Sequence, residues 1–113
     1  MKASRGLLSG PIAATFRPVR PDHGGRVELK LTQTSDHGAH YALTIFLPER
    51  EVTTEARVEI ASGALELRVW QDEPPPSWLD AVARALLRTV WRTASSDGAW
   101  PRRVTRWRPA PKP

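Results

Sequence analysis

Apolar and polar residues alternate along much of the first two-thirds of the chain. From Arg26 to Thr34, Val27, Leu29 and Leu31 point one way and Glu28, Lys30 and Thr32 the other, the period of a half-buried strand. Tyr41, Leu43, Ile45 and Leu47 make the next apolar face, which Pro48 ends. Ala56, Val58 and Ile60 make a third, opposed by Glu55, Arg57 and Glu59. Leu65, Leu67 and Val69 make a fourth, opposed by Glu66, Arg68 and Trp70. Ser35-Asp36-His37-Gly38 and the two-residue Ser62-Gly63 supply turn chemistry between these runs. A shorter alternation from Ile12 to Arg17 adds a first strand, separated from the rest by a loop holding Pro18, Pro21, Gly24 and Gly25. Turns this short predict antiparallel neighbours, because parallel strands need long crossovers. One apolar and one polar face predict a sheet covered on one side.

The period changes after Pro74-Pro75-Pro76, a stiff connector. Leu79, Val82, Ala83, Leu86, Leu87 and Val90 fall on one broad face at 100° per residue, which predicts a helix from Trp78 to about Ala94. Ser77 is placed as its N-cap, with Asp80 as the acidic partner of a capping box. Asp80 at the start and Arg88 and Arg92 near the end suit the helix dipole. Ser95 to Ala99 then reads as a loop. Pro101 to Pro109 fits two periods: helical spacing groups Trp100, Val104 and Trp107, whereas the bracketing prolines favour an extended segment or edge strand. The expected fold is therefore α+β: a four- to five-stranded antiparallel meander, one C-terminal amphipathic helix packed on one face, and a short basic extended segment. Residues 1–10 are expected to be a flexible leader, 11–108 a single domain and 109–113 a flexible tail.

Composition narrows the class. A chain of 113 residues, 40% hydrophobic and 26% charged, can bury a core without metal or disulfide help. It has no cysteine, which excludes disulfides, thiolate nucleophiles and Cys-ligated zinc. No apolar run approaches the length of about 20 residues that spans a bilayer, and Gly10 and Pro11 interrupt the one near Met1. No membrane association and a cytoplasmic location are expected.

The net charge of +5 is unevenly spread. Residues 1–20 hold four cations and no acid, 21–80 hold eleven acids and five cations, and 81–113 hold eight cations against Asp97 alone. On the helix, Arg84, Arg88 and Arg92 follow one another at spacings of four, with Trp91 beside Arg84 and Arg88 at the edge of the apolar stripe. Arg102, Arg103, Arg106 and Arg108 come next, interleaved with Trp100 and Trp107. Guanidinium groups fork onto phosphates and carboxylates, and indole faces accept stacked bases. Arg84, Arg88, Trp91, Arg92, Arg102, Arg103, Arg106 and Arg108 thus form the candidate surface for nucleic acid, another polyanion or an acidic protein. The same pattern also arises when the tryptophans pack inward as a lid and arginines stack on them.

Other chemistry has thinner support. His37, His40 and Asp36 lie close in sequence, but a strand separates His23 from them by roughly 30 Å, so no metal or other cofactor is expected. Ser35, Asp36 and His37 are triad residue types, yet adjacent positions cannot aim at one another. Glu49 and Glu51 fall in a turn without a companion cleft residue, and Gly24-Gly25 is not followed by a helix that could cradle a phosphate. No catalytic constellation emerges, and the chain is expected not to be an enzyme. Arg17-Pro18-Val19-Arg20 and the downstream Gln33-Thr34-Ser35-Asp36-His37-Gly38 are similar to the paired motifs of PilZ domains, which bind cyclic di-GMP. The arginine spacing is one residue short and Gln33 stands where the motif has Asp or Asn, so no family is assigned. The alternative to polyanion binding is protein interaction. It would use the open sheet edge, or the polar sheet face of Glu28, Lys30, Glu55, Arg57, Glu59, Glu66 and Arg68 paired across a homodimer.

Overall fold

The alternating stretches become strands, and the computed structural model describes them over residues 20–112. The expected leader, the expected strand at Ile12 to Arg17 and the first arginine of the PilZ-like pair lie outside the described residues. In chain order the elements are β1 (Gly25–Thr34), β2 (Gly38–Phe46), β3 (Glu51–Glu59), β4 (Leu65–Leu67), α1 (Ser77–Asp97) and β5 (Arg103–Arg108). The sheet order is β4-β3-β2-β1-β5, all antiparallel. The first four strands form a meander. The fifth comes back from the far end of α1 to pair with β1, so β4 and β5 are the edges of the sheet among the described residues.

Register puts the core on one face. Val27 pairs with Ile45 and Ile45 with Val52, while Leu29 pairs with Leu43 and Tyr41 with Ala56. All of these are essentially inaccessible to solvent, and Leu79, Ala83, Leu86, Leu87 and Val90 of α1 pack onto them. Burial of this stripe against the sheet holds the helix, since packing of an amphipathic face supplies most helical stability in a folded protein. Among the described residues, no helix is long and apolar enough to cross a membrane.

Several boundaries differ from the sequence expectation. The third strand begins at Glu51 rather than near Ala56 and ends at Glu59, so its inward face is Val52, Thr54, Ala56 and Val58 instead of Ala56, Val58 and Ile60. Thr54 can face inward because its hydroxyl donates to the carbonyl of Arg68 at 2.9 Å. The turn spans Ile60 to Ala64 rather than two residues, with Gly63 in the left-handed region at φ 75°. The fourth strand stops at Leu67. Val69 is then 88% exposed, and Trp70 packs on the core instead of facing out.

The helix ends differ too. Ser77 is already helical and makes no cap. The Pro76 carbonyl accepts from the N–H groups of Leu79 and Asp80, and Asp80 takes the Nε–H of Arg84 at 2.8 Å instead of closing a capping box. The helix continues through Ser95, Ser96 and Asp97 to Gly98, which at φ 78° sends its N–H back to the carbonyl of Ala94. Its last turn consequently holds Asp97 and no cation, contrary to the expected dipole arrangement.

Tyr41 ties the sheet to the segment leading into β5. Its hydroxyl donates to the Pro101 carbonyl at 2.6 Å, and its ring meets Trp100 edge-on at 6.4 Å between centroids. Burial pushes the phenol up to about 12 from its usual 10.0. A folded-state value above the unfolded one means the stabilisation is complete below pH 10 and is lost as pH rises through 12. Tyr41 is the only tyrosine, so the tyrosinate absorbance reports it alone. We expect that signal to appear near pH 12 in the folded protein and to move to about 10 in denaturant; a midpoint near 10 in both would show that the hydroxyl is not buried.

Candidate polyanion-binding surface

The pleat of β5 decides which arginines can act together. Pairing with β1 sets Val104 opposite Leu29, Arg106 opposite Val27 and Arg108 opposite Gly25. Val27 and Leu29 lie beneath the helix, so Arg106 and Arg108 leave the strand on the helix side, as does Arg102 by alternation. Arg103, Thr105 and Trp107 oppose Lys30, Glu28 and Arg26 and emerge on the other face.

On that other face Arg57, Arg68 and Arg103 are paired with carboxylates. Arg103 donates through Nε to Glu28 Oε2 at 2.8 Å and through a second guanidinium nitrogen to the same oxygen. The Glu28 side chain is only 10% exposed, so Arg103 is the counter-ion of a largely buried carboxylate. Arg57 pairs with Glu66 at 2.7 Å and Arg68 with Glu55 at 3.5 Å. The Arg26 guanidinium lies 4.8 Å from the centre of the Phe46 ring. Arg26, Glu28, Phe46 and Arg103, with Lys30, Glu51 and Thr105, line a shallow groove across the β5-β1-β2 face.

The helix arginines sit elsewhere. Trp91 does lie at the stripe's edge, but its Nε1–H donates to the Ile60 carbonyl at 2.9 Å. Its ring lies so close to Gly63 that a Cβ there would come within 2.8 Å of it. That contact fixes the Trp91 flank of the helix toward the β3–β4 turn. Arg84, seven residues earlier and bound to Asp80, lies on the same flank, away from β5. Arg88 and Arg92 are exposed on the outer helix surface.

The eight sequence-derived residues therefore do not share one surface. Arg102, Arg106 and Arg108 line the helix-side rim of β5. Arg88 and Arg92 form a second patch on the helix crest. Arg84, Trp91 and Arg103 are each held by an intramolecular partner. Of the interleaved indoles, Trp91 and Trp100 pack against the core, whereas Trp107 is 41% exposed, with its N–H donating to the His23 carbonyl at 3.0 Å and the His23 ring edge-on at 5.2 Å. Arg102 and Arg106 have no acceptor among the described residues, and Arg108 reaches only the Trp107 carbonyl at 3.0 Å. No carboxylate side chain occurs between Gly98 and Lys112.

Several of the remaining candidates make local contacts in the fold. Ser35 Oγ accepts from the His37 backbone N–H, closing the β1–β2 hairpin. Glu51 lies 3.8 Å from Arg20, whose guanidinium also donates to the Glu49 carbonyl. Gly24 and Gly25 are small because their neighbours demand it. A Cβ on Gly24 would meet the Arg108 carbonyl oxygen at 2.3 Å, and one on Gly25 would meet the Leu79 side chain at 2.6 Å. Among the described residues, no group of three His, Cys, Asp or Glu side chains is placed to hold a metal ion. No family model matches this chain, and no curated protein or solved structure matches it.

Proposed function

We propose that this chain is a small non-enzymatic binding module that holds a polyanion along the rim of β5. One observation carries the reading: among the described residues, Arg102, Arg106 and Arg108 project from one side of an edge strand and have no carboxylate partner, and the segment that bears them holds no acid. Three neighbouring guanidiniums on water-facing backbone displace counter-ions from a polyanion and gain affinity that salt removes. Binding of fluorescently labelled single-stranded oligonucleotide and of poly-glutamate, followed by anisotropy across a salt series, tests this. The expected result is an affinity that falls linearly in log–log form. No binding of either probe at low salt would end the proposal.

The Glu28–Arg103 pair provides an internal control. Glu28→Gln removes the counter-charge and frees Arg103 beside Thr105 and Trp107. We expect affinity for the oligonucleotide at low salt to rise by roughly threefold to tenfold and the salt slope to steepen by about 0.7, one further contact. An unchanged slope would show that the bound probe stays on the helix-side rim and does not reach round the strand edge to Arg103. The polar face as a dimer surface has less behind it, because its arginines are largely answered within the sheet.

A further inference from the structure

We infer that the occupant of the β5 rim is an acidic protein segment in extended conformation, added to the sheet as a further strand. The inference rests on the polyanion reading above and names its ligand. It is carried by the main chain, which the charge argument leaves unused. The Leu31 N–H donates to the Arg102 carbonyl at 2.8 Å, so Leu31 and Arg102 are a hydrogen-bonded pair. In an antiparallel ladder such pairs alternate with pairs whose main-chain groups turn outward. Val104, Arg106 and Arg108 therefore direct their N–H and C=O groups to β1. Arg103, Thr105 and Trp107 direct theirs away from the sheet, where no described strand lies. Only the Trp107 carbonyl has a described partner, the Arg108 side chain.

A strand laid on this edge gains main-chain hydrogen bonds at three alternate residues. Its side chains on the helix side fall beside Arg102, Arg106 and Arg108, and those on the other side fall beside Arg103, Thr105 and Trp107. Charge complementarity then selects glutamate or aspartate at every second position, with threonine or an apolar residue between. A second copy of β5 does not meet this demand. Antiparallel pairing centred on Thr105 would set Arg102 opposite Arg108, and arginine-rich edges repel one another. Single-stranded nucleic acid meets it less well. Its phosphates can accept from the outward amides, but it carries no strand of alternating donors and acceptors to match the carbonyls as well, and the Trp91 and Trp100 rings are packed on the core rather than offered to bases.

The experiment uses the full chain, isotopically labelled, and two synthetic peptides of equal length and charge. One alternates glutamate with threonine and valine; the other carries prolines at alternate positions and cannot donate to a ladder. We expect the amides of Arg103, Thr105 and Trp107 to exchange rapidly in the free protein and to become protected by the alternating peptide. That peptide should also bind roughly tenfold or more tightly than its proline counterpart, the worth of a few main-chain bonds. Equal affinity of the two peptides without amide protection would overturn the strand-addition inference and leave charge-driven binding standing, as would tighter binding of an oligonucleotide than of the alternating peptide. Protection of the three amides in the free protein would show the edge already occupied and would also overturn it. Failure of both peptides and of the oligonucleotide at low salt would overturn the polyanion reading as well.

Discussion

Replacing Arg102, Arg106 and Arg108 together by alanine should weaken binding of single-stranded oligonucleotide by about 100-fold at low salt. An exposed ionic contact contributes roughly 1 kcal/mol, and three of them amount to about two decades in affinity. The log–log salt slope should fall by about two, since each phosphate neutralised on a single strand contributes about 0.7. The folded state should be unaffected, because Arg102 and Arg106 have no acceptor among the described residues and Arg108 reaches only a neighbouring carbonyl. Arg88→Ala with Arg92→Ala removes two equally exposed cations from the helix crest and serves as the comparison. If that pair costs as much as the β5 triple, the binding surface is the helix and the assignment to β5 is wrong.

Gly38→Ala should be the most damaging small substitution in the sheet. Gly38 opens β2 and faces Glu59 of β3. A methyl group there would sit 2.0 Å from the Val58 carbonyl oxygen and 3.1 Å from the Glu59 Cα. Both are backbone atoms of the neighbouring strand, so no side chain can swing aside, and the β2–β3 ladder must open at that end. Overpacking of this kind costs about 3 kcal/mol, a large share of the roughly 5–15 kcal/mol that holds a typical domain. The midpoint of urea unfolding should fall accordingly with little change in slope. Gly98→Ala offers the contrast. Gly98 sits at φ 78° with open space for 4 Å around the position a Cβ would take, so only the left-handed backbone penalty of about 1 kcal/mol applies. Equal costs at the two sites would contradict the close strand approach at Gly38.

Much of the architecture was legible because burial and periodicity agree. β1 buries Val27 and Leu29 but leaves Leu31 partly exposed and also buries Glu28 of the expected polar face, β2 buries Tyr41, Leu43 and Ile45, and the helix buries five residues of its apolar stripe, leaving Val82 partly exposed. The misplaced boundaries have physical causes. Val52-Thr53-Thr54 carries a core-facing hydroxyl that the distant Arg68 and Val69 carbonyls make acceptable, so the strand start is weakly marked. Ser95-Ser96-Asp97 is a poor helix former locally, yet the buried Ala94 and the left-handed Gly98 carry the helix through it. Val69 and Trp70 exchange their expected faces because the chain leaves the strand after Leu67.

The site was legible in part. Strand alternation alone separates Arg103 from Arg102, Arg106 and Arg108 once residues 103–108 are extended. Their pairing with β1 was not legible, and it makes Glu28, 75 residues earlier, the partner of Arg103. Nor could spacing show that the Ile60 carbonyl holds the Trp91 indole or that Tyr41 and Trp100 meet. These contacts join residues far apart in sequence, where local pattern has no reach.

Nuclear magnetic resonance mapping of an acidic probe on the labelled chain addresses the β5 assignment most directly. Poly-glutamate titrated at low salt should shift the amides of residues 102–108 and the Trp107 indole N–H, while the Trp91 indole, bonded to Ile60, stays in place. Shifts confined to residues 84–92, or spread evenly over the surface, would contradict it.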